Sequence, residues 1–159
     1  MNETFDPGKL KRVLEKYNRV RPVSTEEMLT SQGLFGLTTA SNTQRAICRA
    51  IDGLPMAELA EDPDVIAAFG GKFPETGFRP LEVDILAAVR AAKSMTAAAC
   101  AVSWSQTCDL TMVSKGDYAR ISVCSLKVDN AGVIYNHLVG NIKNSERLSS
   151  LLVEEPSAD

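Results

Sequence analysis

Apolar residues recur at helical spacing through the first 70 positions, with polar and charged residues between them. This spacing predicts four short helices, at about residues 8–20, 24–30, 41–53 and 62–70. The second begins with the Ser24-Thr25-Glu26-Glu27 pattern of a capping box. The fourth begins with Asp62-Pro63, a cap followed by a proline that fits the first helical position.

The pattern changes after residue 80. Residues 82–89 form a short apolar run that suits a buried strand, and 95–105 form an alanine-rich helix. Residues 120–128 are β-branched and apolar, which predicts a second strand, and Asp129 is a cap for the helix that follows. A last helix begins at Asn144 or Ser145. The order strand, helix, strand, helix predicts an α/β fold with a parallel sheet and crossover helices.

Composition favours a globular protein of about one domain and argues against a uniformly basic nucleic-acid binder. The 159 residues are enough for about one domain, and 45% hydrophobic and 23% charged residues are ordinary for a globular chain. A net charge of −3 argues against a uniformly basic nucleic-acid binder. Basic residues do cluster early in the chain, and a solvated helix face explains them better than a DNA contact. These are Lys9, Lys11, Arg12, Lys16, Arg19 and Arg21.

The termini and the cysteines carry no signal for secretion, membrane insertion or a metal site. The first twenty residues are polar and charged, unlike a signal peptide, and no apolar stretch reaches the roughly 20 residues of a membrane span. Cys48, Cys100, Cys108 and Cys124 lack metal-site spacing, so we expect small, buried, reduced side chains. The sequence therefore predicts a soluble, cytoplasmic protein.

The junction at residues 87–94 carries the candidate chemistry. Phosphate-binding loops follow the pattern G-x-x-x-x-G-K-[ST] between a strand and a helix. The eight residues here are Ala87, Ala88, Val89, Arg90, Ala91, Ala92, Lys93 and Ser94. Alanine replaces both glycines, although positive φ and close approach to phosphate favour glycine there.

A cation in the first turn opposes the helix dipole, so Lys93 together with Arg90 suggests an anionic partner. An ordinary turn with a solvated Lys93 stays open as the alternative.

Three segments, residues 37–59, 78–102 and 119–142, resemble the ATPase half of the large terminase subunits, the DNA-packaging motors of tailed phages. Those motors use deviant phosphate loops that often carry an arginine in mid-loop, which Arg90 matches. An upstream glutamine contacts adenine in that family, and Gln44 stands at the matching position. An amide can both donate to and accept from an adenine edge.

The resemblance implies a P-loop NTPase-like parallel sheet, incomplete after its first two βα units, in residues 76–159. Residues 1–75 would be a helical lead-in with the adenine-binding segment. ATP and Mg²⁺ are the implied cofactors. Lys93 would reach the β- and γ-phosphates, Ser94 would hold Mg²⁺, and Arg90 would stabilise transition-state charge. The implied partners are double-stranded DNA, a portal, a small terminase subunit and further copies in a ring.

Two departures from the family limit the expected activity. Both glycines are missing, and the only match to a Walker B strand, residues 150–155 with Glu154-Glu155, follows a helical pattern near the end of the sequence. Nuclease acids are absent too. We therefore expect the N-terminal portion of a motor, with little or no ATP hydrolysis by itself. Two alternatives stay open: a P-loop ATPase of helicase type, and a non-enzymatic assembly or binding protein on a degenerate α/β scaffold.

Overall fold

The computed structural model describes residues 22–87, 92–114, 116–125 and 127–152. These residues form six α-helices and one 3₁₀ helix. They are α1 (Thr25–Thr30), α2 (Asn42–Ile51), the 3₁₀ helix (Ala57–Glu61), α3 (Pro63–Ala68), α4 (Lys93–Thr107), α5 (Val128–Asn144) and α6 (Glu146–Ser149). The helix expected at 8–20 lies outside the described residues.

The first three α-helices begin close to the predicted starts at about residues 24, 41 and 62. The Ser24 hydroxyl accepts a backbone N–H at the start of α1. At α2, Ser41 and Gln44 form a reciprocal capping box, in which each side chain bonds the other's backbone N–H. The Asp62 carboxylate accepts two N–H groups of α3, and Pro63 occupies its first turn. These predictions are confirmed because a cap depends on residues within one turn of it.

The main core lies where α1 and α5 pack on α4. Met28 and Leu29 of α1 are fully buried there. Ala98 and Ala99 of α4 are also fully buried, and their small side chains let neighbouring helices approach closely. This packing covers one face of α4.

An ion-pair cluster fixes α2 against α1 and the 3₁₀ helix. Arg49 of α2 contacts Glu26 of α1 through Nε at 2.6 Å and Glu58 of the 3₁₀ helix through Nη2 at 2.7 Å. Its Nη1 donates to the Met56 carbonyl at 2.6 Å. The Arg49 guanidinium lowers the pKa of the Glu58 carboxyl to about 2. These contacts settle the position of α2, which carries Gln44.

The expected parallel-sheet α/β fold is wrong for the part of the chain that the structure describes, which contains helices and no strand. Residues 82–87 and 118–125 are irregular, and no backbone hydrogen bond joins these two described segments. Strands of a parallel sheet are buried on both faces. Here Leu81 and Leu86 are fully exposed, and Ile121 is 54% exposed. An apolar run becomes a strand only when a neighbour completes its hydrogen bonds, and periodicity cannot supply that neighbour.

The later helices differ from prediction at their ends. The alanine-rich helix α4 extends two residues beyond the expected 95–105 at each end. Val128, expected to finish a strand, begins α5, and Lys127 precedes that helix without a side-chain cap. Ser145 caps α6 as predicted. None of the helices within the described ranges combines the length and apolar character that a membrane span requires.

Candidate functional site

A groove of about 1190 Å³ runs along the face of α4 that the core leaves uncovered. One wall is α2 and the other is the first part of α5, while the irregular segments 83–87 and 124–125 border the remaining side. Its volume is somewhat larger than that of typical ligand pockets, about 300–1,000 Å³. Of the predicted site residues, Gln44, Ala87, Lys93 and Ser94 line this groove.

Lys93 closes the segment that leads into α4. Its Nζ donates a hydrogen bond to the Ala87 carbonyl at 2.9 Å, although six residues separate the two along the chain. This contact joins the end of the irregular segment to the first turn of α4. The intervening predicted loop residues Ala88, Val89, Arg90 and Ala91 lie outside the described residues.

Ala92 adopts the left-handed backbone conformation, with φ at 53° and ψ at 24°. It occupies the position of the second glycine in the phosphate-loop pattern, where the sequence analysis expects positive φ. An L-residue with a Cβ pays about 1–2 kcal/mol for this conformation. The Ala92 carbonyl accepts the Thr96 N–H at 3.0 Å and the Thr96 hydroxyl at 3.2 Å, which anchors the residue to the helix.

The two longest helices both begin at the groove, and neither has a side-chain cap hydrogen bond. Lys93 and Ser94 belong to the first turn of α4, and Asn130 belongs to the first turn of α5. Helix N-termini carry partial positive charge on backbone N–H groups that lack an intrahelical acceptor. The groove therefore receives two such ends at one side.

Gln44 has a structural role at the α2 wall. Its Oε1 accepts the Ser41 N–H at 2.8 Å, and its own N–H donates to the Ser41 hydroxyl at 3.2 Å. An amide oxygen has two lone pairs, and the amide nitrogen has two donors. The capping box fixes the position of the Gln44 carboxamide at the wall of the groove.

Sequence reasoning missed two groove residues. Asp84 is an exposed carboxylate on the irregular border segment, and the only signal for it is one charge inside an apolar run. Trp104, the single tryptophan of the chain, lines the groove about three turns after the start of α4. Its helical spacing from Lys93, Ala97 and Cys100 places it on the same face, and that spacing is readable in the sequence.

A divalent cation would find few protein ligands here. The described residues contain no group of three His, Cys, Asp or Glu side chains that could hold a metal by themselves. Mg²⁺ commonly binds through one or two protein oxygens together with substrate phosphates and water. The Ser94 hydroxyl and the Asp84 carboxylate both line the groove, so the donor set fits Mg²⁺ that arrives with a phosphate ligand.

The cysteines differ from the uniform burial that the sequence suggested. Cys48 is buried and Cys100 is partly buried, whereas Cys108 and Cys124 are exposed. Cys100 and Cys124 line the groove. Burial raises the pKa of the Cys100 thiol to about 11, and the Asp52 carboxylate adds to that increase. Cys100 is therefore a neutral, weakly nucleophilic part of the wall at physiological pH.

No protein-family model matches this chain, and neither the curated proteins nor the solved structures include a similar one.

Proposed function

We propose that this chain binds ATP with Mg²⁺ in the groove between α2 and α4. The observation that carries the proposal is that Lys93, Ser94 and Gln44, chosen from sequence as phosphate, magnesium and adenine contacts, line one cavity. They come from helices separated by more than 40 residues of chain. Lys93 and Ser94 are adjacent in the chain, so the informative observation is that Gln44, from another helix, lines the same cavity.

The phosphate end of the proposed site is the first turn of α4. The Lys93 ammonium supplies full positive charge, and the starts of α4 and α5 supply backbone N–H groups. Anions bind readily at such ends because both the N–H groups and the dipole favour negative charge. The left-handed Ala92 supports the same assignment, since strained backbone conformations concentrate at ligand sites.

The wider role that the terminase resemblance implies is the N-terminal ATP-binding portion of a viral DNA-packaging motor. In that role ATP hydrolysis drives DNA translocation in a ring of subunits on a portal, in the cytoplasm of the host cell. Glu154 and Glu155, the candidate acid pair, lie outside the described residues. We propose binding with little turnover by this chain alone.

The test is a titration of the purified chain with ATP and Mg²⁺ by calorimetry. We expect saturable binding that Lys93→Ala weakens at least tenfold, because the variant removes the groove's ammonium group. Lys143→Ala is the matched control: this exposed lysine lies at the far end of α5, outside the groove. Absence of binding at millimolar ATP, or equal binding by Lys93→Ala, would refute the proposal.

A second candidate is a non-enzymatic assembly protein, and one observation favours it. Leu81, Leu86 and Met112 are 91% exposed or more, and all lie in irregular segments. Exposed apolar residues mark interaction surfaces when they form patches. This candidate predicts no ATP binding and a change in oligomeric state when Leu81 and Leu86 are both replaced by serine, measured by light scattering.

A further inference from the structure

The groove has chemically different ends. Lys93 and Ser94 lie at the start of α4, and Trp104 lies eleven residues later on the same helix. At the helical rise of 1.5 Å per residue, the two ends are about 16 Å apart. The lining of the groove also includes the apolar residues Ile47, Ile51 and Phe69.

Arg79 holds the Trp104 ring in place. The Arg79 guanidinium lies over it, with Cζ 5.7 Å from the ring centroid, in a cation–π arrangement. Arg79 itself contacts the Asp52 carboxylate through Nη2 at 3.2 Å and donates to the Thr107 hydroxyl through Nη1. Asp52 is only 4% exposed in its side chain. Arg79 therefore lies over one face of the ring, and Trp104 lines the groove.

The indole of Trp104 also carries an unused donor. Its Nε1 is buried and has no hydrogen-bond acceptor within the described part of the chain. Tryptophan N–H groups usually find an acceptor when they are buried. Because this nitrogen is buried, Trp104 offers a ligand in the groove its apolar ring surface rather than a hydrogen bond.

We propose that the Trp104 end of the groove binds the base of the nucleotide, which stacks against the indole ring. This inference rests on the proposed function, because it assigns the phosphates to Lys93 and the start of α4. A nucleoside triphosphate has an anionic end and a planar aromatic end, and the groove offers a complement to each. Stacking acts on the face of the base and does not depend on hydrogen bonds to its edge.

The experiment compares two probes, ATP and inorganic tripolyphosphate, both with Mg²⁺. Because Trp104 is the single tryptophan, its fluorescence reports directly on this end of the groove. We expect ATP to change the emission and tripolyphosphate to bind without changing it. An equal response to both probes, or no response to bound ATP, would overturn the stacking inference.

Two variants separate stacking from general damage to the fold. Trp104→Phe keeps an aromatic face, and we expect ATP affinity within about threefold of the original chain. Trp104→Leu keeps apolar volume without a ring, and we expect a loss of at least fivefold, since base–aromatic stacking is worth that much or more. Calorimetry with tripolyphosphate should give the same affinity for both variants and the original chain.

The outcomes distinguish the inference from the proposed function. If neither ATP nor tripolyphosphate binds the original chain, the proposed function fails and the inference fails with it. If both bind with similar affinity and Trp104→Leu binds ATP normally, phosphate binding stands and base stacking is wrong. If Trp104→Leu loses tripolyphosphate as well as ATP, Trp104 supports the fold rather than the base, which also contradicts the inference.

Discussion

Residues 22–69 and residues 81–125 of the same chain build their structure in different ways. The first region consists of short helices with side-chain caps at Ser24, Ser41 and Asp62, joined by the Arg49 ion pairs. The second contains one long helix, α4, flanked by irregular segments that expose large apolar residues. Local hydrogen bonds complete the first region, whereas the described irregular segments of the second region leave large apolar side chains exposed.

The candidate site lies where these two regions meet. The well-capped helix α2 supplies one wall, and the start of α4, which has no side-chain cap, lies at the end of the groove for which we propose phosphate binding. A helix N-terminus without a side-chain cap keeps more of its four free N–H groups for an anion. This difference explains why we propose that an anion binds at the start of α4, in residues 81–125. Helix α2, in residues 22–69, would form the fixed wall opposite it.

The largest expected effect comes from testing burial in the two regions with the same substitution. Leu29 is fully buried in the core, and Leu86 is fully exposed on the irregular segment. We expect Leu29→Ala to lower the free energy of unfolding by about 3 kcal/mol, through lost transfer energy and a cavity. Leu86→Ala should change it by less than about 0.5 kcal/mol. Urea unfolding followed by circular dichroism measures both. A similar loss in both variants would mean that the two regions are packed alike.

A smaller effect tests the connection between α2 and residues 72–80. Gly53 has φ of 66°, and a Cβ there would lie 1.9 Å from the Phe78 carbonyl oxygen. Its own carbonyl accepts the Gly77 N–H at 2.8 Å. We expect Gly53→Ala to destabilise the chain by about 2–3 kcal/mol, from backbone strain plus overpacking.

Gly70 provides the matched control for that clash. It also has positive φ, at 63°, but a Cβ there meets nothing within 4 Å. Gly70→Ala should therefore cost about 1 kcal/mol, the strain alone. Chemical denaturation of the two variants measures the difference, and equal costs would contradict the close approach of residue 78 to α2.

The smallest effect concerns Ala92 at the phosphate end. Ala92→Gly removes the left-handed strain but increases the entropy of the unfolded chain, so we expect a net change within about 0.5 kcal/mol. ATP affinity should be retained or increased. Ala97→Gly, in the interior of α4, should instead destabilise the chain by about 1 kcal/mol. Thermal unfolding compares the two variants. An equal loss of unfolding free energy in Ala92→Gly and Ala97→Gly would argue against the strained conformation at residue 92.

The helices of the first region were predictable because their signals are short in sequence. Ser41 and Gln44 are three residues apart, and Asp62 is adjacent to Pro63, so a window of a few residues contains the whole interaction. The strand predictions at 82–89 and 120–128 failed for the opposite reason. A strand is defined by hydrogen bonds to a distant segment. An apolar composition indicates that burial would be favourable, but it does not identify the partner segment.

Part of the candidate site could also be predicted from short sequence patterns. Lys93 and Ser94 follow from the Lys-Ser pair at a helix start, and positive φ at residue 92 follows from the loop pattern. Trp104 and Asp84 were not found, because neither belongs to a motif. Arg79 reaches Trp104 and Asp52 from a loop remote in sequence from both, and no local pattern encodes such a contact.

The sequence by itself determined where the capped helices begin, which residues carry charge at the start of α4, and which position needs an unusual backbone conformation. These properties depend on side chains within about one turn of each other. Only the tertiary structure decided that the two apolar runs stay outside a sheet, that Gln44 and Lys93 share a groove, and that Arg79 holds Trp104 at its apolar end. Those outcomes depend on which distant surfaces pack together, and the free energy of that packing belongs to the whole fold.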